Sequence, residues 1–426
     1  MIDIIQVNIL KLINKFFNTK KLSRKINLFY VNKAIKTKKN IQSIKKKNLS
    51  AKQIKNILFS SGIRLDVNDE KFYLKLLDLI TSQKDLPKNR DYIKNYFKNN
   101  NFNSVGSNTW LRLRDLFYLK LELVLGGICR KKAIEQASKN KMSFLLRKQD
   151  KTRAKLDFFI NSKVKKDYFN KNSLDHKFNN KDLKKFLKSV CNIDCTSKNH
   201  DIDRSNEKFF KILNNKSIAI VGPAETDQKN AHEIDSFDVV VRLNYTFLGK
   251  NLDKIHKGLK TDVSYINGEQ TDYLIKNNNG KLPDDIKIAC VKDNETKRID
   301  FLKKVNPNKY IKRITNYNMF TFNSSLSFLP LVLLDIMESE FKNIKIFHSD
   351  MFLTINRSPG YYPKEFNLGQ KINLKSFLFH DPLSQHEILK KMYLNEKIKG
   401  DERFNSVMKL DKFEYLKKLE ETYREK

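Results

Sequence analysis

Two short apolar runs lie close together in the second half of the chain and restrict its fold. Lys216–Gly222 has the sequence K-S-I-A-I-V-G, and Asp238–Leu243 has the sequence D-V-V-V-R-L. Apolar, β-branched runs of this length are typical of strands buried on both faces of a parallel sheet. The polar stretch between them is long enough for a helix, so the pattern predicts a strand–helix–strand unit.

The same alternation continues towards the C-terminus. Ile286–Val291 and Ile344–His348 are further candidate strands, and Ser324–Ser339 is an apolar stretch of helical length. Alternating strands and helices predict an α/β domain, in which a Rossmann-like, largely parallel sheet carries helices on both faces.

Ligands of such sheets bind beyond the carboxyl ends of the strands. This rule places Gly222–Thr226, Arg242–Tyr245, Asn323–Ser325 and the residues after His348 around one crevice. The chain has no G-x-x-x-x-G-K-[ST] motif, and no G-x-G-x-x-G follows the first strand. An ATPase or GTPase of the P-loop type and a dinucleotide dehydrogenase are therefore both disfavoured.

The first half of the chain is far more basic than the second. Residues 1–220 hold 50 Lys and Arg against 19 Asp and Glu, whereas the other half carries only +5 of the total +36. This asymmetry indicates contact with a polyanion, either a membrane surface or nucleic acid. We expect a basic amphipathic segment over 1–60, a basic helical region over 61–205 and the α/β domain over 206–426.

The extreme N-terminus favours the membrane. Residues 2–17, as a helix, place their apolar side chains on one broad face, and a basic cluster follows at Lys20, Lys21, Arg24 and Lys25. This arrangement is typical of a helix that lies in the membrane interface. A helix that packs on its own domain remains the alternative. Nucleic acid is disfavoured, because no recognised nucleic-acid-binding motif is present.

Cysteine content and hydropathy bear on the compartment. Four cysteines among 426 residues exclude a disulfide scaffold. No apolar run reaches the roughly 18 residues that a membrane-spanning helix needs, and the N-terminus lacks the features of a secretory signal. We expect a cytoplasmic protein, peripheral at the inner face of the membrane if its N-terminal helix binds lipid.

Four motifs of the second half occur in a specific order. I-A-I-V-G-P-A-E-T…H-E-I-D-S-F-D-V-V-V-R-L-N spans Ile218–Asn244, and G-L-K-T-D follows at Gly258–Asp262. Together they resemble the large sialylmotif of glycosyltransferase family 29, the eukaryotic-type sialyltransferases. F-N-S-S-L-S-F-L-P-L-V-L-L at Phe322–Leu334 is similar to the small motif, and H-D-P-L-S-Q-H-E at His380–Glu387 to the terminal motif. The resemblance covers roughly residues 215–425.

The resemblance implies a GT-A variant fold and an inverting, metal-independent transfer of sialic acid, or a related nonulosonic acid, from a CMP-activated donor to a saccharide hydroxyl. The acceptor would be a saccharide or a lipid-linked glycan, and no cofactor is expected beyond the donor substrate. His380 would be the general base, with Glu387 as its catalytic partner. The residues expected to contact the donor nucleotide are Gly222, Thr226, Asn244, Ser324, Ser325, Tyr361 and Tyr362.

The chain departs from the family pattern at several positions. The family's turn is V-G-N-x-G-N, and here Pro223 and Thr226 stand in place of the two asparagines. Leu326 replaces the glycine of the small motif, and neither motif contains the cysteine that joins them in secreted members. His380 and Glu387 are two residues further apart than usual, which puts the role of Glu387 in doubt.

His380 follows the apolar run N-L-K-S-F-L-F, which predicts a strand that delivers it to the crevice. An imidazole titrates near neutrality and so can accept a proton at working pH. Asp381 or Glu387 is expected to orient the ring. The alternative is a histidine that only packs or caps, and His386 is a weaker candidate for the base.

The other candidates also have structural alternatives. Ser324 and Ser325 suit an anion site at a helix N-terminus, or simple helix capping. Tyr361 and Tyr362 in S-P-G-Y-Y-P suit contacts with the donor phosphate, or packing in a surface turn. Arg242 could clamp a phosphate, although an arginine inside a strand more often makes an ion pair, here with Asp235 or Asp238.

A rival function remains open. A degenerate transferase-like domain would bind a nucleotide or glycan without turnover, and its basic half would contact nucleic acid or another polyanion.

Overall fold

The computed structural model describes the second half of the chain and the helices that precede it. The described residues are 72–73, 76, 86–100, 102, 104–139, 148–161, 180–192, 206–245, 253–292, 296–314, 321–358, 361 and 376–424. The amphipathic segment over 1–60, which includes the basic cluster, and Tyr362 lie outside them.

Seven parallel strands form one sheet, which confirms the predicted α/β, Rossmann-like class. Their order across the sheet is β5-β4-β3-β2-β1-β6-β7. Four of the seven correspond to runs recognised in the sequence, namely β1, β2, β4 and β6. The strands are β1 Ser217–Val221, β2 Val239–Leu243, β3 Val263–Ile266, β4 Ile288–Val291, β5 Tyr310–Arg313, β6 Asn343–Phe347 and β7 Lys399–Gly400.

Helices precede the sheet and connect its strands. In chain order they are α1 Leu86–Asn99, α2 Ser107–Leu119, α3 Leu123–Ser138, α4 Lys148–Asn161, α5 Asn180–Cys191, α6 Glu207–Leu213, α7 Ala231–Ser236, α8 Gly268–Asn278, α9 Thr296–Val305, α10 Phe328–Ile336, α11 Pro382–Leu394, α12 Glu402–Lys409 and α13 Lys412–Arg424. Asp381 caps α11 and Asp401 caps α12, each by accepting a backbone N–H of the first turn.

The helices before the sheet pack into the α/β domain. α3 packs on α13, while α4 and α5 pack on α11. One apolar core contains residues of β1 and β6 together with Tyr118, Leu156 and Phe186 of these helices. A second apolar core is formed mainly by the helices before the sheet, and it includes Phe322 from the segment before α10. The basic helical region is thus built into the domain, although the boundaries given above remain predictions. None of the described helices combines the length and apolar character that a membrane span requires.

Arg242 on β2 is a structural residue, although not through the expected ion pair. Its buried guanidinium donates to the loop before β3 at 2.8 to 3.2 Å, with Thr261 Oγ1 and the carbonyl oxygens of Lys257, Gly258 and Lys260 as acceptors. The expected pair with Asp235 or Asp238 is wrong, because Nε and Nη2 of the guanidinium donate to this loop instead. Arg242 of the large motif therefore stabilises the loop before β3.

Asp235 and Asp238 also bind backbone groups. Asp235 accepts the N–H groups of Leu259 and Lys260, and Asp238 accepts that of Ser217 at the start of β1. Gly258 has φ +68°, and a Cβ there would lie 2.3 Å from Asp235 Oδ1. The loop needs glycine at this point for both reasons.

Candidate active site

A pocket opens beyond the carboxyl ends of β1, β2 and β6. β1 and β6 are neighbours whose following connections leave in opposite directions, so the pocket lies at the topological switch point of the sheet. Its volume is about 140 Å³, below the roughly 300–1,000 Å³ of pockets that enclose a whole small ligand. Its wall includes Pro223, Asn244, Ser327, His348, Asp350 and Arg357.

Four residues of the pocket wall have a left-handed backbone. They are Asn244, His348, Met351 and Phe352, with φ of 60°, 53°, 54° and 72°. Outside asparagine and glycine this conformation is uncommon and costs about 1–3 kcal/mol per residue. Such strain persists only where the surrounding structure enforces it, and it clusters at functional sites.

Asn244 is the predicted nucleotide contact that lines the pocket directly. It follows β2, is 7% exposed and accepts the backbone N–H of Asn267 through Oδ1 at 2.9 Å. This bond fixes the orientation of the side-chain amide, which a precise contact with a ligand requires.

The turn after β1 is shaped by Gly222. A Cβ at this position would lie 2.4 Å from the carbonyl oxygen of His348, so only glycine lets the ends of β1 and β6 approach this closely. Pro223 lines the pocket, whereas Thr226 accepts the N–H of Gln228 at 3.0 Å and is not part of the wall. Neither position therefore reproduces the asparagines of the family turn.

Lys257, which the sequence did not single out, lies beneath this turn. Its buried ammonium donates to the carbonyl oxygens of Gly222 and Ala224 at 2.9 and 2.8 Å. Burial and the nearby charge of Arg242 hold the pKa of Lys257 well below its ordinary value. Burial and the Lys257 charge also lower the pKa of His348 to about 3, so that imidazole is neutral at pH 7.

The segments before α10 and α11 are joined by hydrogen bonds. Ser325 N donates to the carbonyl oxygen of Phe379 at 2.7 Å. Ser324 Oγ donates to the same oxygen at 3.2 Å and accepts the N–H of Asp381 at 3.1 Å. The N-cap of α10 is Ser327, so the capping alternative for Ser324 and Ser325 is wrong. They connect the small motif to the terminal motif.

His380 is half-buried at this junction. Its Nδ1 lies 3.0 Å from the carbonyl oxygen of Ser325. A carbonyl oxygen can only accept, so in the neutral ring Nδ1 carries the hydrogen and Nε2 carries the lone pair. Burial and the charge of Lys292 lower the pKa of His380 to about 4, against bonds to the carbonyl groups of Ser325 and Leu326 that raise it.

The chain reaches His380 as a helical turn rather than a strand. The N–H of His380 donates to the carbonyl oxygen of Ser376 at 2.8 Å, and residues 376–377 are helical. The predicted strand is wrong at these residues, because a short apolar run does not distinguish a strand from a buried helical turn.

Glu387 does not orient His380. It lies on α11, where its carboxylate is 3.5 Å from Lys412 Nζ and 3.8 Å from His386 Nδ1. Burial raises the pKa of Glu387, but His386 and Lys412 outweigh this effect and lower it. The expectation of Glu387 as the catalytic partner is therefore corrected, since the hydrogen bond of the His380 ring runs to Ser325.

Tyr361 also differs from its expected role. Its ring is 1% exposed, and its hydroxyl donates to the carbonyl oxygen of Val221 at 2.8 Å. The hydroxyl hydrogen is thus used within the fold, and the ring packs 6.0 Å from that of Tyr245. The structure therefore supports the alternative role of Tyr361, which is packing.

Arg357 is a pocket residue that the sequence did not reveal. Its segment pairs with the turn after β1 through an antiparallel bridge to Ala224, and its guanidinium lies 5.9 Å from the ring of Phe352. Nearby Arg403 lies within 4 Å of Asp227 and Asp350, whereas the described residues place no carboxylate that close to Arg357. Among the described residues, Arg357 is therefore a pocket cation without an ion-pair partner.

Comparison with known proteins gives little beyond this geometry. No protein-family model matches the chain, and no curated protein matches it. Eight chains of solved structures match. One is a mammalian sialyltransferase in complex with Gal-beta-1-3GalNAc-ortho-nitrophenol, with 11% identity and a TM-score of 0.28 over 52% of this chain and 86% of that chain. This similarity is too low to support an inference about function.

Proposed function

We propose that this protein is a glycosyltransferase that moves a sialic acid, or a related nonulosonic acid, from a CMP-activated donor to a saccharide hydroxyl, with inversion and without a metal. Contacts among three motif segments support the proposal: two of the segments line the pocket, and the third carries His380 and is bonded to the second. Asn244 and Ser327 line the same pocket. Ser325, two residues before Ser327, holds the ring of His380.

The donor would bind with its charged groups in the described pocket. Arg357 and the first turn of α10 both line it, and a guanidinium and a helix N-terminus each favour an anion. Asn244 would orient the nucleotide through its fixed amide. As the glycosidic bond breaks, negative charge grows on the CMP phosphate, and these donors stabilise it without reorganising.

His380 would act as the base. The acceptor hydroxyl attacks the anomeric carbon, its proton passes to Nε2 of His380, and the bond to the phosphate breaks as CMP leaves with the electron pair. The low pKa of His380 keeps the ring neutral at pH 7. An anionic donor bound nearby would raise that pKa and make the ring a stronger proton acceptor.

Release of CMP from CMP-sialic acid, in the presence of saccharide acceptors, tests the proposal. His380→Ala should slow release by about 10²–10⁴-fold, the usual contribution of a general base. His232→Ala is the matched control, because His232 is exposed on α7. Equal rates for His380→Ala and the wild type would contradict the proposal.

A nucleotide-binding domain without turnover is the second candidate. Pro223 has no N–H to donate, and Thr226 is not part of the pocket wall. The two asparagines with which the family contacts the nucleotide therefore have no equivalent here. CMP binding seen by calorimetry, with no release from any CMP-activated acid, would favour this candidate. Nucleic acid or another polyanion would then be the partner of the basic half.

Peripheral membrane binding through residues 1–60 is a separate proposal, since that segment lies outside the described residues. It would bring the site to lipid-linked acceptors. The full-length chain should sediment with anionic liposomes, and a variant with Lys20, Lys21, Arg24 and Lys25 changed to Glu should not. Equal sedimentation of the two proteins would contradict it.

A further inference from the structure

A buried group of charged side chains joins the helical region to the segment that carries His380. We call it the Asp381 cluster, and it consists of Arg114 and Tyr118 on α2, Arg130 on α3, Asp157 on α4, and Asp381. Each is at most 2% exposed. The first four precede the part of the chain that resembles family 29, so the cluster connects two separate parts of the sequence.

Asp381 is the centre of the cluster. Its Oδ1 accepts the N–H of Ser384 at 3.0 Å and so caps α11. Its Oδ2 accepts the hydroxyl of Tyr118 at 3.2 Å and lies 3.6 Å from both Arg114 Nη1 and Arg130 Nε. The helical region therefore holds the residue directly after His380.

The same helices hold the segment on the other side of the His380 ring. Asp157 Oδ2 accepts the N–H of Phe322 at 3.0 Å and pairs with Arg130 Nη2 at 2.7 Å. Arg114 Nη1 donates to the carbonyl oxygen of Asn323 at 3.5 Å. This segment continues directly into Ser324 and Ser325, whose contacts fix His380.

We propose that Arg114, Tyr118, Arg130 and Asp157 are positioning residues, which fix the two segments that hold the His380 imidazole. The proposal deepens the proposed function, because it treats His380 as the base. A reacting group keeps its geometry only when the groups that support it are themselves locked by packing and hydrogen bonds. Here that support comes from helices that the sequence resemblance does not include.

The charged groups around His380 indicate how its pKa would change if the Asp381 cluster were loosened. Lys292, after β4, is the cation that acts on the ring. The Asp381 carboxylate is directed into the cluster, where Arg114, Arg130 and Asp157 surround it. Loosening the cluster would admit water to the ring, and the pKa of His380 would rise towards its ordinary value of about 6.5.

Tyr118→Phe is the sharpest variant, because it removes one hydroxyl and keeps the ring in the core. Tyr265→Phe is the matched control, since the buried Tyr265 hydroxyl donates to Asp335 at 2.8 Å, remote from His380 in the contacts described. Acylation of His380 by diethyl pyrocarbonate, followed by mass spectrometry from pH 3.5 to 8, gives the midpoint of its titration. CMP release gives kcat and KM.

Tyr118→Phe should raise the midpoint by about one pH unit and lower kcat by about tenfold with KM little changed. Tyr265→Phe should leave all three values as in the wild type. A midpoint that moves no more in Tyr118→Phe than in Tyr265→Phe would overturn the proposal. If Tyr118→Phe does not fold, Arg114→Lys tests the same point, because lysine keeps the charge without bridging Asp381 and Asn323.

The chemical modification needs no turnover, which separates this proposal from the proposed function. A shifted midpoint in a protein that releases no CMP would support the positioning cluster and contradict the transferase. CMP release with an unshifted midpoint would do the reverse.

Discussion

Two buried clusters in this molecule are built from the same parts and differ in fit. In one, Asp335 accepts Lys312 Nζ at 2.7 Å and the hydroxyl of Tyr265 at 2.8 Å. In the Asp381 cluster the tyrosine bond is 3.2 Å, and both arginines lie 3.6 Å from the carboxylate. Within the described part of the chain, Arg130 Nε and Nη1 have no hydrogen-bond partner.

The difference shows what each cluster accomplishes. The Asp335 cluster is compact and lies between strands β3 and β5 and helix α10, where it fixes the core. The Asp381 cluster connects three helices to two loop segments, and its contacts with the Asp381 carboxylate are longer than those of Asp335. Buried polar groups that are incompletely satisfied need an explanation, and sequences tend to break local rules at functional sites. Holding His380 provides that explanation.

Removing a cation from each cluster has the largest expected effect and could break the comparison. Arg130→Met removes the cation that Asp157 and Asp381 share, and Lys312→Met removes the cation that pairs with Asp335. Each should lower the free energy of unfolding in urea by about 3–5 kcal/mol. Under conditions where both variants are folded, only Arg130→Met should also slow CMP release, and equal slowing by Lys312→Met would contradict the distinction.

Two glycines extend the comparison to the backbone, with a smaller effect. Gly222→Ala places a Cβ 2.4 Å from the His348 carbonyl at the pocket, and Gly258→Ala places one 2.3 Å from Asp235 in the loop before β3. Both should cost about 1–3 kcal/mol of stability. Calorimetry should show weaker CMP binding for Gly222→Ala alone. Unchanged affinity of Gly222→Ala for CMP would show that the turn after β1 is not part of the binding site.

A pair of arginines gives the smallest expected effect. Arg357→Gln should weaken binding of CMP-sialic acid about tenfold, since a charge-assisted hydrogen bond contributes about 1.5 kcal/mol. Arg298→Gln, which breaks a surface pair with Asp272 at 2.6 Å, should leave affinity unchanged. The Arg357 effect should diminish as salt concentration rises. Equal affinities for the two variants would place the donor elsewhere.

Three of the four strands that the sequence revealed are mainly apolar runs. β1, β2 and β4 are of this kind, and β6 (N-I-K-I-F) alternates apolar and polar residues, whereas β3 (V-S-Y-I) and β5 (Y-I-K-R) were not recognised. β5 contains Lys312, which is buried because Asp335 neutralises it. That partner belongs to a different helix, so local patterning gives no sign of it.

The site was predicted in part for the same reason. Motif order brought Asn244, Ser325 and His380 to one region, because each follows or precedes a recognisable element. Arg357 and the Asp381 cluster were missed, since their meaning depends on contacts across long stretches of chain. The hydrogen bond from Tyr118 to Asp381 spans 263 residues. Glu387 was expected to be catalytic because its segment resembles the terminal motif.

The most direct test of His380 as a neutral base is the pH dependence of kcat/KM for CMP release. Its pKa is lowered from 6.5 to about 4 in the folded protein, so the base form should persist at pH 5 and be lost only as pH falls through 4. We predict an acidic limb with an apparent pKa near 4 in the wild type, raised in Tyr118→Phe. A limb near 6.5 in the wild type, or an unchanged profile in His380→Ala, would contradict this role for His380.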